Sequence, residues 1–252
     1  MLKLLKYDWK RNANLSLGLL AVLVFLQIVI GVVGNVRGWE QSIIFVLSFM
    51  LYTMTGIILI IIASKTFENN IKAYSRRLLP VRPVWTAVSS IVLWWLFTAV
   101  LAGIALLHYY IYVSLVHSTP VWPEGMMVTS LLELFKFIFA IFWTLTYLML
   151  MILLSMTIGA SVSLRGKAGT WVGIIAFFII QYVLSLVESA LFGGFDAKLF
   201  SIGIIQSSND SINAQVMSSA PILQIGQLLF DGAMFALMLL LINYLLSKKV
   251  EI

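Results

Sequence analysis

Residues 84–113 read VWTAVSSIVLWWLFTAVLAGIALLHYYIYV, with no Asp, Glu, Lys or Arg at any position. Crossing a hydrocarbon core of ~30 Å takes about 20 apolar residues at a helical rise of ~1.5 Å each. This run exceeds that length, so it reads as a membrane helix that tilts or projects beyond the lipid. Five more stretches qualify on either side: Leu15–Val33, Ile43–Ala63, Phe137–Val162, Trp171–Leu191 and Ile222–Leu246. Composition points the same way. Of 252 residues, 62% are hydrophobic and 10% charged, with a mean hydropathy of +1.04. A soluble domain carries about 25% charged residues, so this chain cannot furnish a water-exposed surface. The expected fold is all-α, a polytopic membrane protein with six spans forming one transmembrane domain over residues 1–252. The first apolar run is full length and ends without a small-residue cleavage motif, which argues against a cleaved signal peptide.

The formal net charge of +6 suggests nucleic acid until its placement is read. Segments 1–14, 64–83, 163–170 and 247–252 hold 13 of the 16 Lys and Arg residues. The alternate segments hold only Arg37, Lys136 and Lys198. By the positive-inside rule both termini are expected in the cytoplasm, and a bacterial plasma membrane is the expected location. No nucleic-acid partner is implied.

The basic head has a pattern of its own. Leu2, Leu5 and Trp9 fall on one helical face, and Lys3, Lys6, Lys10 and Arg11 mostly on the other. Such a helix is expected to lie in the headgroup plane over residues 1–14, among membrane lipids. It serves either as a topology anchor or as a contact for a cytosolic partner, with Lys6, Trp9 and Arg11 as its candidate residues. At the other surface, residues 192–221 are too long for a structureless loop in a compact protein. Their Gly193 and Gly194, the polar run Gln206–Asn213 and the apolar patch Leu199–Ile205 suggest short interfacial or re-entrant helices.

Motifs for chemistry are missing. Cysteine is absent, which removes disulfides, thiolate metal sites and a cysteine nucleophile. The lone Gly166-Lys167 pair lacks both the upstream glycine and the following Ser or Thr of a phosphate-binding loop. Neither G-x-S-x-G nor H-E-x-x-H occurs. His108 and His117 are nine residues apart and do not share a helix face. No catalytic residue, metal site or bound cofactor is therefore expected in this chain.

The segment between spans two and three is the most informative polar stretch. It reads SKTFENNIKAYSRRLLPVRP over residues 64–83. Phe67, Ile71, Tyr74 and Leu78 recur at helical spacing, and Pro80 stops the pattern. By itself this is an amphipathic helix, or a polar connector, over 65–82. Phe67-Glu68 a dozen residues before Leu79-Pro80-Val81-Arg82, directly after span two, resembles the type-two ABC transporter permeases. The basic head, six spans and long outer segment before span six extend that resemblance over the whole chain. It implies that 65–82 is a coupling helix docking on a separate cytosolic ATPase, with Phe67, Glu68, Asn70, Tyr74 and Arg77 as contacts. Pro80 and Arg82 would hold the turn. It further implies a second permease subunit, identical or different, with ATP and Mg bound by the ATPase chains.

Polar residues inside the spans are the remaining clue. Gln224, Gln227 and Asp231 share a face of span six, and counting from Ile222 places Asp231 near the midplane. A charge at that depth costs about 2.5–3.5 kcal/mol, so it serves a structural hydrogen bond or a transport role. Gln181, Ser185 and Glu188 form a stripe in span five, and Ser48, Tyr52 and Thr55 one in span two. Each stripe lines a substrate pathway or joins helices. Gly169-x-x-x-Gly173 permits close helix approach. The resulting expectation is an exporter permease for an amphipathic or hydrophobic substrate, such as a peptide antibiotic, a lipid or a drug-like molecule. The alternative is a self-sufficient proton-coupled transporter using Asp231 or Glu188. No repeat is evident between the two halves.

Overall fold

The computed structural model describes residues 2–72, 83–116, 131–162, 168–192 and 225–248. They form six helices: α1 (Leu2–Val36), α2 (Gln41–Lys72), α3 (Val84–Val116), α4 (Leu131–Ser161), α5 (Ala168–Phe192) and α6 (Ile225–Lys248). All six are long and apolar enough to cross a membrane, the make-up of a multi-pass membrane protein. The expected segment 192–221 lies outside the described residues beyond Phe192.

Two boundaries differ from expectation. The head is no separate interfacial element, because α1 runs unbroken from Leu2 into the first span. The described part of 65–82 is likewise no separate helix, since residues 65–72 complete α2. The reason is the same for both. A change from apolar to polar side chains does not end a helix; a turn signal does. Such a signal stands between α1 and α2. The amide of Trp39 bonds the carbonyl of Gly34 at 2.9 Å and that of Gly38 bonds Asn35 at 3.3 Å. Gly38 supplies the positive φ of 65° that this Schellman closure requires.

The helices gather into two compact units, residues 1–121 and 122–252. In the first unit α1, α2 and α3 each pack on the other two. Leu59 and Ile62 of α2 meet Leu93 and Phe97 of α3, and Leu5, Trp9 and Leu19 of α1 cover them. In the second unit α4 packs against both α5 and α6. The α4–α5 contact is made through glycine. A side-chain carbon at Gly169 would sit 2.9 Å from the carbonyl oxygen of Gly159, and one at Gly173 3.1 Å from that of Ser155. Backbone therefore touches backbone, as the spacing of Gly169 and Gly173 anticipates. Outward, Val22, Phe25, Ile28 and Val32 of α1 and Ile175, Phe178, Ile179 and Tyr182 of α5 are exposed. Apolar faces of this extent are stable against lipid and not against water.

Candidate functional site

A buried polar knot ties the first unit together at the end where α1 begins and α2 finishes. Its centre is Asp8, which is 0% exposed. Leu5 and Trp9 flank it on the packed face of α1, so the helix carries the carboxylate inward with them. Burying a carboxylate is costly unless donors meet it. Asn70 Nδ2 donates to Asp8 Oδ2 at 3.1 Å, and Ser89 Oγ donates to the same oxygen at 3.2 Å. Arg11, one turn on, donates from Nη2 to Asn70 Oδ1 and to the carbonyl of Thr66, both at 3.4 Å. The Asn70 amide thus accepts from a cation with one end and donates to an anion with the other. Neither a carboxylate nor an ammonium could do both.

Three helices are fastened by these bonds. Asp8 and Arg11 belong to α1, Thr66 and Asn70 to the polar end of α2, and Ser89 to the second turn of α3. Trp9 completes the joint by resting on Phe97 of α3, with ring centroids 5.3 Å apart. At the start of α3, the amide and the hydroxyl of Thr86 both donate to the carbonyl of Pro83, at 3.0 and 2.6 Å. The bonds of the knot join the helix leading into residues 73–82 to its two neighbours.

This placement corrects part of the contact set expected for residues 65–82. Phe67 is 0% exposed and Asn70 is 3% exposed, so both side chains serve packing inside the chain and present nothing to a second protein. Glu68 is part-exposed, and Lys65 and Asn69 are exposed on the outer side of the same turns. Tyr74, Arg77, Pro80 and Arg82 lie outside the described residues. On the head, Lys6 and Arg11 are exposed, whereas Trp9 is half-buried against Phe97.

Asp8 was legible only as a charge in the topological balance. The signal that could have singled it out is its position between Leu5 and Trp9 on the apolar stripe. Ser89 and Gln27 were missed as well. Gln27 is buried in the middle of α1 and donates from Nε2 to the carbonyl of Ser48 at 3.1 Å.

The expected stripe in span two resolves into separate roles. The Ser48 carbonyl receives Gln27, and the buried Thr55 returns its hydroxyl to the Leu51 carbonyl of its own helix at 2.8 Å. Tyr52 turns toward α3, with its ring 6.1 Å from that of His108, which in turn lies 6.4 Å from Tyr112. The hydroxyls of Tyr52 and Tyr112 are buried without a hydrogen-bond partner among the described residues.

In the second unit Asp231 meets an indole. Trp143 Nε1 of α4 donates to Asp231 Oδ2 of α6 at 3.4 Å, a long bond and so a weak one. Phe139 stacks on Trp143 at 6.2 Å and Phe235 approaches it at 5.9 Å. Glu188 of α5 is half-buried. Gln181 and Ser185 lie two turns and one turn before Glu188 and are half-buried. Gln227 stands in the first turn of α6, its side chain outside the described set. Asp231 lies in the second turn of the described part of α6. Among the described residues, no three His, Asp or Glu side chains gather as a metal site would need.

Compared with known proteins, the chain matches no family model, no curated protein and no solved structure.

Proposed function

We propose that this chain is the membrane-spanning permease subunit of an exporter driven by a separate ATPase of the ABC kind. It would pair with a second permease subunit and move an amphipathic or hydrophobic substrate out across a bacterial plasma membrane. Both termini would face the cytoplasm, as the placement of 13 of 16 basic residues suggests. ATP and Mg would be held by the partner, because the chain has no phosphate-binding loop of its own.

The observation that carries the reading is the knot around Asp8. An ATPase docked on the segment that begins at Lys65 can do work on the spans only if that segment is rigidly joined to them. Asn70, Asp8, Arg11 and Ser89 make that joint in two directions, to α1 and to α3. Coupling between distant sites needs such a contiguous element, which both sites can bias. The outward side chains Glu68 and Asn69 supply the docking face, while Phe67 and Asn70 hold the lever from within.

The test is the double variant Glu68→Ala with Asn69→Ala. It should leave the chain folded and loosen docking by about 1–2 kcal/mol, which is ~5–30-fold in affinity for the ATPase. ATP turnover by the assembled complex should fall in step. Unchanged assembly and turnover would count against the proposal.

The carboxylate of Asp231, met by a long bond from Trp143, favours the proton-coupled transporter as a second reading. Replacing Asp231 by Asn separates the two. The amide oxygen can still accept from Trp143, so the ATP-driven reading expects transport and its pH profile to persist. Proton-driven uptake by vesicles containing this chain alone, lost in Asp231→Asn, would establish the second reading instead.

A further inference from the structure

A groove runs between α1 and α2 on the outside of the first unit. Its walls are Leu15, Gly18, Leu19 and Val22 of α1 and Ile58 and Ile62 of α2, with Asn14 at one end. The floor is open at Gly18, where a side-chain carbon would meet nothing within 4 Å. From Asn14 to Val22 the groove extends about 12 Å along α1, close to the ~15 Å depth of one leaflet. The two helices run antiparallel in a fixed register, because Arg11 bonds Thr66 near one end and Gln27 bonds Ser48 farther along.

That register places two cations at the polar mouth. Arg11 stands three residues before Asn14, and Lys65 three residues beyond Ile62, each continuing the helical face that lines the groove. Both are exposed. Arg11 spends Nη2 on Thr66 and Asn70, which leaves its other guanidinium donors for a ligand. A trough apolar but for Asn14 at one end, nearly one leaflet deep and ending at a guanidinium and an ammonium, matches one kind of molecule: an acyl chain joined to an anionic phosphate.

We propose that this groove is a binding site for an anionic phospholipid, with an acyl chain between Leu15, Leu19, Ile58 and Ile62 and its headgroup phosphate against Arg11 and Lys65. The site is independent of the ATPase-coupled reading and needs only that the helices stand in a bilayer. A bound lipid here would brace α1 against α2 directly below the Asp8 knot.

The test uses the full chain, purified in a non-ionic detergent and stripped of lipid. Phosphatidylglycerol and phosphatidylcholine with identical acyl chains are titrated in turn, and bound lipid is counted by native mass spectrometry. A basic residue at a headgroup is worth about fivefold in affinity, so two should favour phosphatidylglycerol by roughly 25-fold. Lys65→Gln should cut that preference about fivefold and weaken phosphatidylcholine less, because its choline already offsets the phosphate charge. Gly18→Phe, which fills the groove, should weaken both lipids alike. Lys65 is exposed, so its variant remains informative even where Gly18→Phe fails to fold. Equal binding of the two lipids to the wild-type chain would overturn the proposal, as would a preference untouched by Lys65→Gln. So would a dimer that Gly18→Phe splits while lipid binding persists, since a second copy of the chain would then be the occupant.

Discussion

Replacing Asp8 by Ala is expected to lower the stability of the chain by about 3–5 kcal/mol and, on the exporter reading, to uncouple it from the proposed ATPase. The figure follows from what the substitution leaves behind. Asn70 Nδ2 and Ser89 Oγ would lose their acceptor in a buried setting, and each unsatisfied donor costs about 1–3 kcal/mol. Removing one member of a buried charged network costs about 3–5 kcal/mol in comparable cases. Folded membrane domains have little to spare against such a loss, since native stabilities are about 5–15 kcal/mol. Asp8→Asn keeps the shape and one acceptor, so it should cost less than half as much. Thermal unfolding in detergent gives the stability, and ATP turnover of the assembled complex gives the coupling. Combining Asp8→Ala with Asn70→Ala should cost less than the two changes summed, by about 1–3 kcal/mol, because they break the same bond. Additive losses would show that the knot is not a unit.

The second large effect belongs to Gly159. Its backbone lies against Gly169 on α5, and the atoms that a new side chain would meet are main-chain atoms that cannot swing away. Gly159→Leu should therefore force α4 from α5 and abolish the folded second unit. Even Gly159→Ala should cost about 1–3 kcal/mol by overpacking, more than the ~1 kcal/mol that Ala gains over Gly in a helix. The comparison residue is Gly103 of α3, where nothing lies within 4 Å of the added carbon. Gly103→Ala should be neutral or stabilise by up to ~1 kcal/mol. Folded yield and unfolding temperature of the three variants decide the matter. Equal behaviour of Gly159→Ala and Gly103→Ala would contradict the packing.

The six spans were legible because a lipid solvent imposes a length and an apolar content that few other constraints mimic. The glycine contact was half legible: Gly169 and Gly173 announced a close approach, but nothing local named Gly159 as its other side. The joint between helices was not legible in this way. Asp8 meets Asn70 and Ser89 across 62 and 81 residues of chain, and periodicity within one helix carries no information about such partners. Residues 1–14 and 65–72 were divided from their spans at the change from apolar to polar side chains. A helix continues through such a change until a turn residue stops it, as Gly38 stops α1. The expectation that Phe67 and Asn70 are contacts came from the family resemblance and from no local pattern. Once α2 is extended through Lys72, its inner face carries Ala63, Phe67, Asn70 and Ile71 against the rest of the unit.

The exporter reading rests on energy entering from a second chain through the segment that the Asp8 knot secures. The most direct measurement is isolation of the tagged full-length chain from its native membrane in mild detergent, with every stoichiometric companion identified by mass spectrometry and ATP turnover measured on the complex. The reading predicts a companion that carries a G-x-x-x-x-G-K-[ST] loop and whose turnover drops in the Asp8→Ala and Glu68→Ala, Asn69→Ala variants. A chain that purifies without any such companion, and that alone drives uptake into vesicles under a proton gradient, would contradict it.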